Sequence, residues 1–281
     1  YRERLISGMR RRGYSEKFAE QIFNQIKGFG EYGFPESHSA SFALLAYASA
    51  WLKYHQPAAF FCALLKSQPM GFYAPAQLVR AARNQNVEVR PVDVTCSDRD
   101  CSLERGAHGV PCIRLGLRMV KGLSGDGADR LVEQRKMQAF TSIGDLTRRA
   151  ALNAKDLGCL ASAGAFKPFA RNRYQARCQV AGVDHDSSLD LELNEAVPLL
   201  RTPGEGRDII ADYRHVGLTL GRHPLAVLRE RLQGLGLSAA EEVRALNHGC
   251  YVRAAGLVIT RQRPASAAGV TFVTLEDETG F

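Results

Sequence analysis

Two groups of residues in this chain have the types and spacing to hold phosphate. The first is Ser37-His38, closing the Gly- and Pro-broken run Phe29-Gly30-Glu31-Tyr32-Gly33-Phe34-Pro35-Glu36, which opens into an apolar stretch carrying Trp51-Leu52-Lys53. A turn that feeds polar side chains and free backbone N–H groups into a helix N-terminus is an anion site, here for a triphosphate or a phosphodiester. His38 reads equally as a phosphate ligand or as a cap tying the turn to the helix. Lys53 either faces the anion or snorkels along the helix. The second group is Met119-Val120-Lys121-Gly122-Leu123-Ser124-Gly125-Asp126-Gly127-Ala128. Gly122, Gly125 and Gly127 permit a tight turn whose N–H groups point at a phosphate, helped by the positive end of the following helix. Arg118, Lys121, Arg130 and Arg135 can add charge-assisted contacts to neighbouring phosphates. Such contacts hold the sugar-phosphate backbone and read no bases. The alternative is a helical hairpin whose glycines only cap helices.

Charge favours the first alternative. The net charge is +8 and the isoelectric point about 9.2. Residues 105–177 carry fourteen Lys/Arg against five Asp/Glu, whereas residues 184–212 carry eight acidic against two basic. A basic middle neutralises a polyanion and gives salt-dependent, nonspecific affinity. Arg10-Arg11-Arg12, a charge run at a helix end, reads as solvated. Seven cysteines, odd in number and without a C-x-x-C pair, indicate a reducing cytoplasm. Cys96, Cys101, His108 and Cys112 match no familiar zinc spacing and read as structural thiols. Asp93, Asp98 and Asp100 form a carboxylate cluster better suited to a turn than to a metal. Composition is ordinary for a globular protein, 45% hydrophobic and 23% charged. No apolar run reaches the length of a membrane span.

The elements that must position these groups are mostly helical. Phe18, Ile22, Phe23 and Ile26 recur at helical spacing. A helix is expected over residues 39–55, stopped by Pro57, then others over 58–66 and 73–86, with Pro75 in the first turn of the latter. Residues 87–94 alternate as a short strand. Residues 116–169 read as two related hairpins, the second around 157–166, its Ala163-Gly164-Ala165 less basic and suited to packing against the first. An acidic linker with Pro198, Pro203, Gly204 and Gly206 follows, and helical spacing returns over 218–244. Residues 251–259 and 270–276 read as two strands around a loop. The expected fold class is mainly α with a C-terminal β part.

The run from Phe29 through Leu45 resembles the end of the fingers domain of bacterial C-family DNA polymerases, the polymerase III alpha subunits and their error-prone paralogues. Pro35 before Glu36-Ser37-His38 is closer to the error-prone branch. The resemblance continues in the family's order along the chain. It implies the end of fingers at 1–105, a tandem helix-hairpin-helix domain at 106–183, the acidic linker at 184–214, and a helical connection with an incomplete OB-fold at 215–281. It places Ser37, His38 and Lys53 near an incoming deoxynucleotide, and Arg118, Lys121, Gly122, Gly125, Gly127, Arg130 and Arg135 on primer-template DNA. It implies a DNA-directed DNA polymerase acting in translesion synthesis and repair, whose Mg2+ is held by carboxylates of a palm domain absent from this chain. The start at Tyr1 suggests a fragment, inactive by itself. The region 195–200, Glu-Ala-Val-Pro-Leu-Leu, lacks the Gln and aromatic of a clamp-binding peptide. Recruitment then falls to accessory translesion proteins and only indirectly to the sliding clamp. The other reading is a stand-alone nonspecific DNA-binding module.

Overall fold

A computed structural model describes residues 1–31, 36–71, 73–182, 200–264, 266 and 269–281. The chain divides into two units, Tyr1–Gln56 and Pro57–Phe281. In the first, α1 (Arg2–Arg11) packs on α2 (Glu16–Glu31). The turn between them uses Gly13, whose φ of 86° lies in the left-handed region open to glycine. Tyr14 and Phe18 bring their rings to 5.7 Å, and Ala19 is buried. The third helix, α3 (Glu36–His55), ends just before Pro57 as expected but starts three residues earlier than the pattern suggested. Ser37 and His38 therefore lie inside its first turn. The centre of the glycine-rich turn, residues 32–35, falls outside the described residues, as do the side chain of Ser37, that of His108, and residues 183–199. The last of these hold most of the acidic linker and all but Leu200 of the clamp-peptide region.

In the second unit, proline opens α4 (Pro57–Lys66) and α5 (Pro75–Arg83), where its missing N–H costs nothing. Ala58, Phe61, Cys62 and Leu65 form the buried stripe of α4 at helical spacing, and Leu78, Val79 and Ala82 that of α5. The expected strand over 87–94 shortens to β1 (Val89–Arg90). It belongs to a sheet not visible in the sequence pattern, with β2 (Ser102–Arg105) and β3 (Pro111–Arg114) in the order β1-β3-β2. β1 runs parallel to β3, and β2 antiparallel with Leu103 opposite Ile113. Arg114 holds Glu104 through two bonds of 2.8 and 2.9 Å and donates to the Pro91 carbonyl at 2.9 Å. The division expected between residues 105 and 106 falls within this sheet.

After a 3-10 turn (Leu117–Met119) come α6 (Gly125–Met137), α7 (Ile143–Ala150), α8 (Ala154–Ala163) and α9 (Arg173–Ala181). Each of the four begins on a polar cap that accepts from the N–H three residues on: Ser124 at 3.0 Å, Ser142 at 3.0 Å, Asn153 at 2.8 Å and Asn172 at 3.0 Å. The facing ends of α6 and α7 cap each other. Arg130 of α6 donates to the carbonyls of Ala150 and Ala151 at 2.9 and 3.1 Å. Arg149 of α7 donates to those of Gln134 and Gln138 at 2.6 and 2.7 Å, its guanidinium lying over the Phe140 ring. Leu131, Leu146, Leu157, Leu160 and Phe166 pack at the centre, fully buried. α8 leads into a turn at Gly164 (φ 76°), where the second hairpin was expected.

The described end of the linker region is a helix, α10 (Glu205–His215), held by Arg173 to Asp208 and Asp212. α11 (Pro224–Gly234) and α12 (Ala240–Arg244) follow. The strands β4 (Leu257–Gln262) and β5 (Phe272–Glu276) pair antiparallel, β4 starting later than the sequence pattern indicated. This pair is anchored to the helices by ion pairs: Glu276 with Arg80, and Asp277 and Glu278 with Arg229. Asp277 also accepts from the Ala240 N–H at 2.7 Å.

Candidate nucleic-acid interface

The first hairpin is built around Ser124 and Asp156. Ser124 caps α6, and the Asp156 carboxylate, fully buried, accepts from the Ser124 N–H at 2.9 Å and from its hydroxyl at 2.6 Å. A carboxylate here also complements the positive end of α6. Gly127 allows this approach. A Cβ on it would stand 2.6 Å from Ser124 Oγ and 2.7 Å from Asp156 Oδ2. Gly122 takes φ 85°, and its α carbon faces Cys159 of α8, where a Cβ would meet Sγ at 3.1 Å. Gly125 is different: a Cβ there meets only the tip of Arg99, at 3.2 Å, a half-exposed guanidinium paired with Asp129. The three glycines thus serve three purposes: a left-handed turn, room at a helix start, and contact between the two hairpins.

With Ser124 committed to Asp156, the N–H groups of Gly122, Gly125 and Asp126 have no acceptor among the described residues. Three adjacent unpaired donors beside a helix N-terminus suit an anionic oxygen.

The four cations expected beside them are engaged by protein acceptors, Arg118 and Lys121 at the exposed surface and Arg130 and Arg135 half-buried. Arg118 donates to the carbonyls of Lys66 and Gln68 at 3.0 and 2.8 Å and pairs with Asp100 at 2.8 Å. Lys121 donates to the Tyr213 carbonyl at 3.0 Å. Arg130 caps α7. Arg135 holds the Val94 and Ser97 carbonyls at 3.2 and 2.6 Å and pairs with Asp98 at 3.0 Å. These side chains bind protein, and the carboxylates of Asp98 and Asp100 are spent on them. Asp93 accepts from Thr95, and no cluster of three or more metal-ligating side chains occurs among the described residues.

Other cations are exposed and without a partner among the described residues: Lys155, Lys167, Arg171 and Arg177. Lys155 stands in the first turn of α8, the helix whose Cys159 faces Gly122. It lies one turn before Cys159 on the same face of α8, and its charge acts on that thiol, which burial pushes up. Sequence reasoning passed over Lys155 because it lies in the second hairpin, thirty-odd residues from the glycines. The available signal was its place in the first turn after the Asn153 cap.

Two of the three nucleotide-side residues, His38 and Lys53, stand at opposite ends of one helix. His38 and Lys53 share α3, separated by about 22 Å of helical rise, more than one triphosphate can bridge. His38 is exposed, makes no hydrogen bond among the described residues, and lays its ring 4.4 Å from that of Phe42. It does not cap α3.

Residues 86–176 match the family model described as "Helix-hairpin-helix motif", which defines this part of the chain as a helix-hairpin-helix domain. The whole chain aligns with proteins named "Error-prone DNA polymerase". Identity is 56% to that of Alkalilimnicola ehrlichii, 52% to that of Methylococcus capsulatus and 53% to that of Burkholderia pseudomallei, in each case over 100% of this chain. The chain spans 27–29% of the length of those relatives. Over its whole length the chain is thus similar to part of these error-prone DNA polymerases. No helix among the described residues is long and apolar enough to cross a membrane.

Proposed function

We propose that this chain is the part of an error-prone DNA-directed DNA polymerase that grips the sugar-phosphate backbone of primer-template DNA during translesion synthesis and repair in the cytoplasm. The observation that carries the reading is the first hairpin turn, where the N–H groups of Gly122, Gly125 and Asp126 are unpaired at the start of α6; Lys155, in the first turn of α8, supplies the cation. The donors and the cation neutralise one phosphate without touching a base. Lys167, Arg171 and Arg177 extend the positive surface along neighbouring phosphates. Arg118, Lys121, Arg130 and Arg135 act one step back, holding the hairpins in place.

Polymerisation itself belongs to the longer protein, with a divalent metal pair, Mg2+, bound by carboxylates outside this chain. Incoming deoxynucleotide, accessory translesion proteins and, through them, the sliding clamp are partners of that longer protein. β4 and β5 are the opening strands of its OB-fold.

Affinity of the chain for primer-template DNA across a salt series tests the reading. Lys155→Glu and Gly125→Glu each place a carboxylate at the turn without disturbing the buried links. Both weaken binding about tenfold or more, and Lys155→Gln lowers the slope of log affinity against log salt by about one. Unchanged binding in both Glu variants overturns it.

A further inference from the structure

The third helix has the composition of a core helix and the exposure of a surface one. Residues 37–52 of α3 carry no Asp, Glu, Lys or Arg. Phe42, Leu44, Leu45, Tyr47, Trp51 and Leu52 are each 43–73% exposed. At about 100° per residue these side chains point round most of the helix circumference rather than along one stripe. None of the helix's described residues is buried, and it packs on neither α1 nor α2. A helix apolar on all sides is stable in water only when enclosed, and an exposed apolar surface of this extent marks a contact. α3 does not qualify as a membrane span. The absence of Lys and Arg over residues 37–52 also makes that stretch a poor surface for nucleic acid.

We propose that α3 is a central helix of the polymerase body, enclosed by the part of the same polypeptide that lies outside this chain. The length of that part supports the assignment. The relatives that match this chain end to end are more than three times as long, so about 70% of such a protein is available to cover α3. An apolar core segment of the same chain is the occupant that a helix apolar all round and uncharged over residues 37–52 fits. The inference rests on the homology and is independent of the DNA-binding proposal.

Hydrogen exchange read by mass spectrometry tests it, comparing this chain at two concentrations with the full-length polymerase that contains it. Amides of α3 are expected to exchange about 100-fold or more slowly in the full-length protein than in this chain. Leu45→Glu, on the exposed surface, is expected to leave the melting of this chain unchanged and to lower that of the full-length protein. Equal exchange in both proteins overturns the proposal. So does protection already present in this chain: a concentration-dependent form identifies a second copy as the occupant, and a concentration-independent form identifies the rest of this chain.

Discussion

Gly125 and Gly127 sit two residues apart in the first turn of α6, and replacing each by Ala should change stability in opposite directions. At Gly127 the new Cβ meets Ser124 Oγ at 2.6 Å, Asp156 Oδ2 at 2.7 Å and Leu152 Cδ2 at 3.2 Å. The two polar atoms are the ends of short side chains locked to each other, so the methyl group displaces one or both. Losing the Ser124 cap costs about 1 kcal/mol. Loosening the hydrogen bonds of a buried carboxylate costs a further ~1.5–3 kcal/mol. The helix propensity gained by Ala returns about 1 kcal/mol. The net is a loss of roughly 1.5–3 kcal/mol, which for a unit of this size lowers the melting temperature by about 3–12 °C. At Gly125 the methyl group meets only the tip of Arg99, the flexible end of a side chain held by an exposed ion pair to Asp129 that costs little to shift. The restricted unfolded chain then makes Gly125→Ala neutral or stabilising by up to about 1 kcal/mol. Thermal unfolding followed by far-ultraviolet circular dichroism reads both. A Gly127→Ala protein that melts with the wild type, or a Gly125→Ala protein that loses as much as Gly127→Ala, refutes the assignment of Gly127 to hairpin contact.

Further outcomes follow from the side-chain partners. Arg135→Met removes a guanidinium that satisfies two carbonyls, and it should lower stability by about 1–3 kcal/mol while leaving the salt dependence of DNA binding unchanged. Glu104→Gln strips the partly buried Arg114 guanidinium of its charged partner and should cost about 2 kcal/mol in a denaturant titration, through the β2–β3 pair. His223 accepts the Leu225 N–H at 3.2 Å through Nδ1, and its burial pushes the imidazole below its ordinary value of 6.5, against the opposing pull of Glu276, Glu278 and Asp277 and with the help of Arg80. The unfolded chain then binds the proton more readily than the folded one. Stability is full above pH 6.5 and falls as the pH drops below it. His223→Asn keeps a cap acceptor and should flatten the stability profile between about pH 7.5 and 5.5. An unchanged slope would mean that His215, also depressed by burial, carries the effect.

Local chemistry wrote the helices of this protein into its sequence. Pro57 and Pro75 start α4 and α5, Ser124 and Asn153 cap α6 and α8, and the apolar spacing of α4 matches its buried face, all within a turn or two of chain. The hairpin glycines were legible for the same reason, since Gly122 needs its positive φ whatever surrounds it. The sheet was not. β2 and β3 are four residues each, and β1 joins β3 only across some twenty residues of chain, so their pairing depends on the packing of α4 against them. Nor did charge reveal where it would be used. Arg118, Lys121, Arg130 and Arg135 look like phosphate ligands in a basic stretch, but each finds backbone carbonyls or carboxylates brought near by other elements. Asp156 reads as an acidic residue in the first turn of α8, yet it is aimed at Ser124 in the hairpin before. Hydrogen bonds close within a few residues and periodic burial are properties of the sequence. Which cation stays free to meet a phosphate is decided by which acceptors the tertiary structure brings within 3 Å of the others.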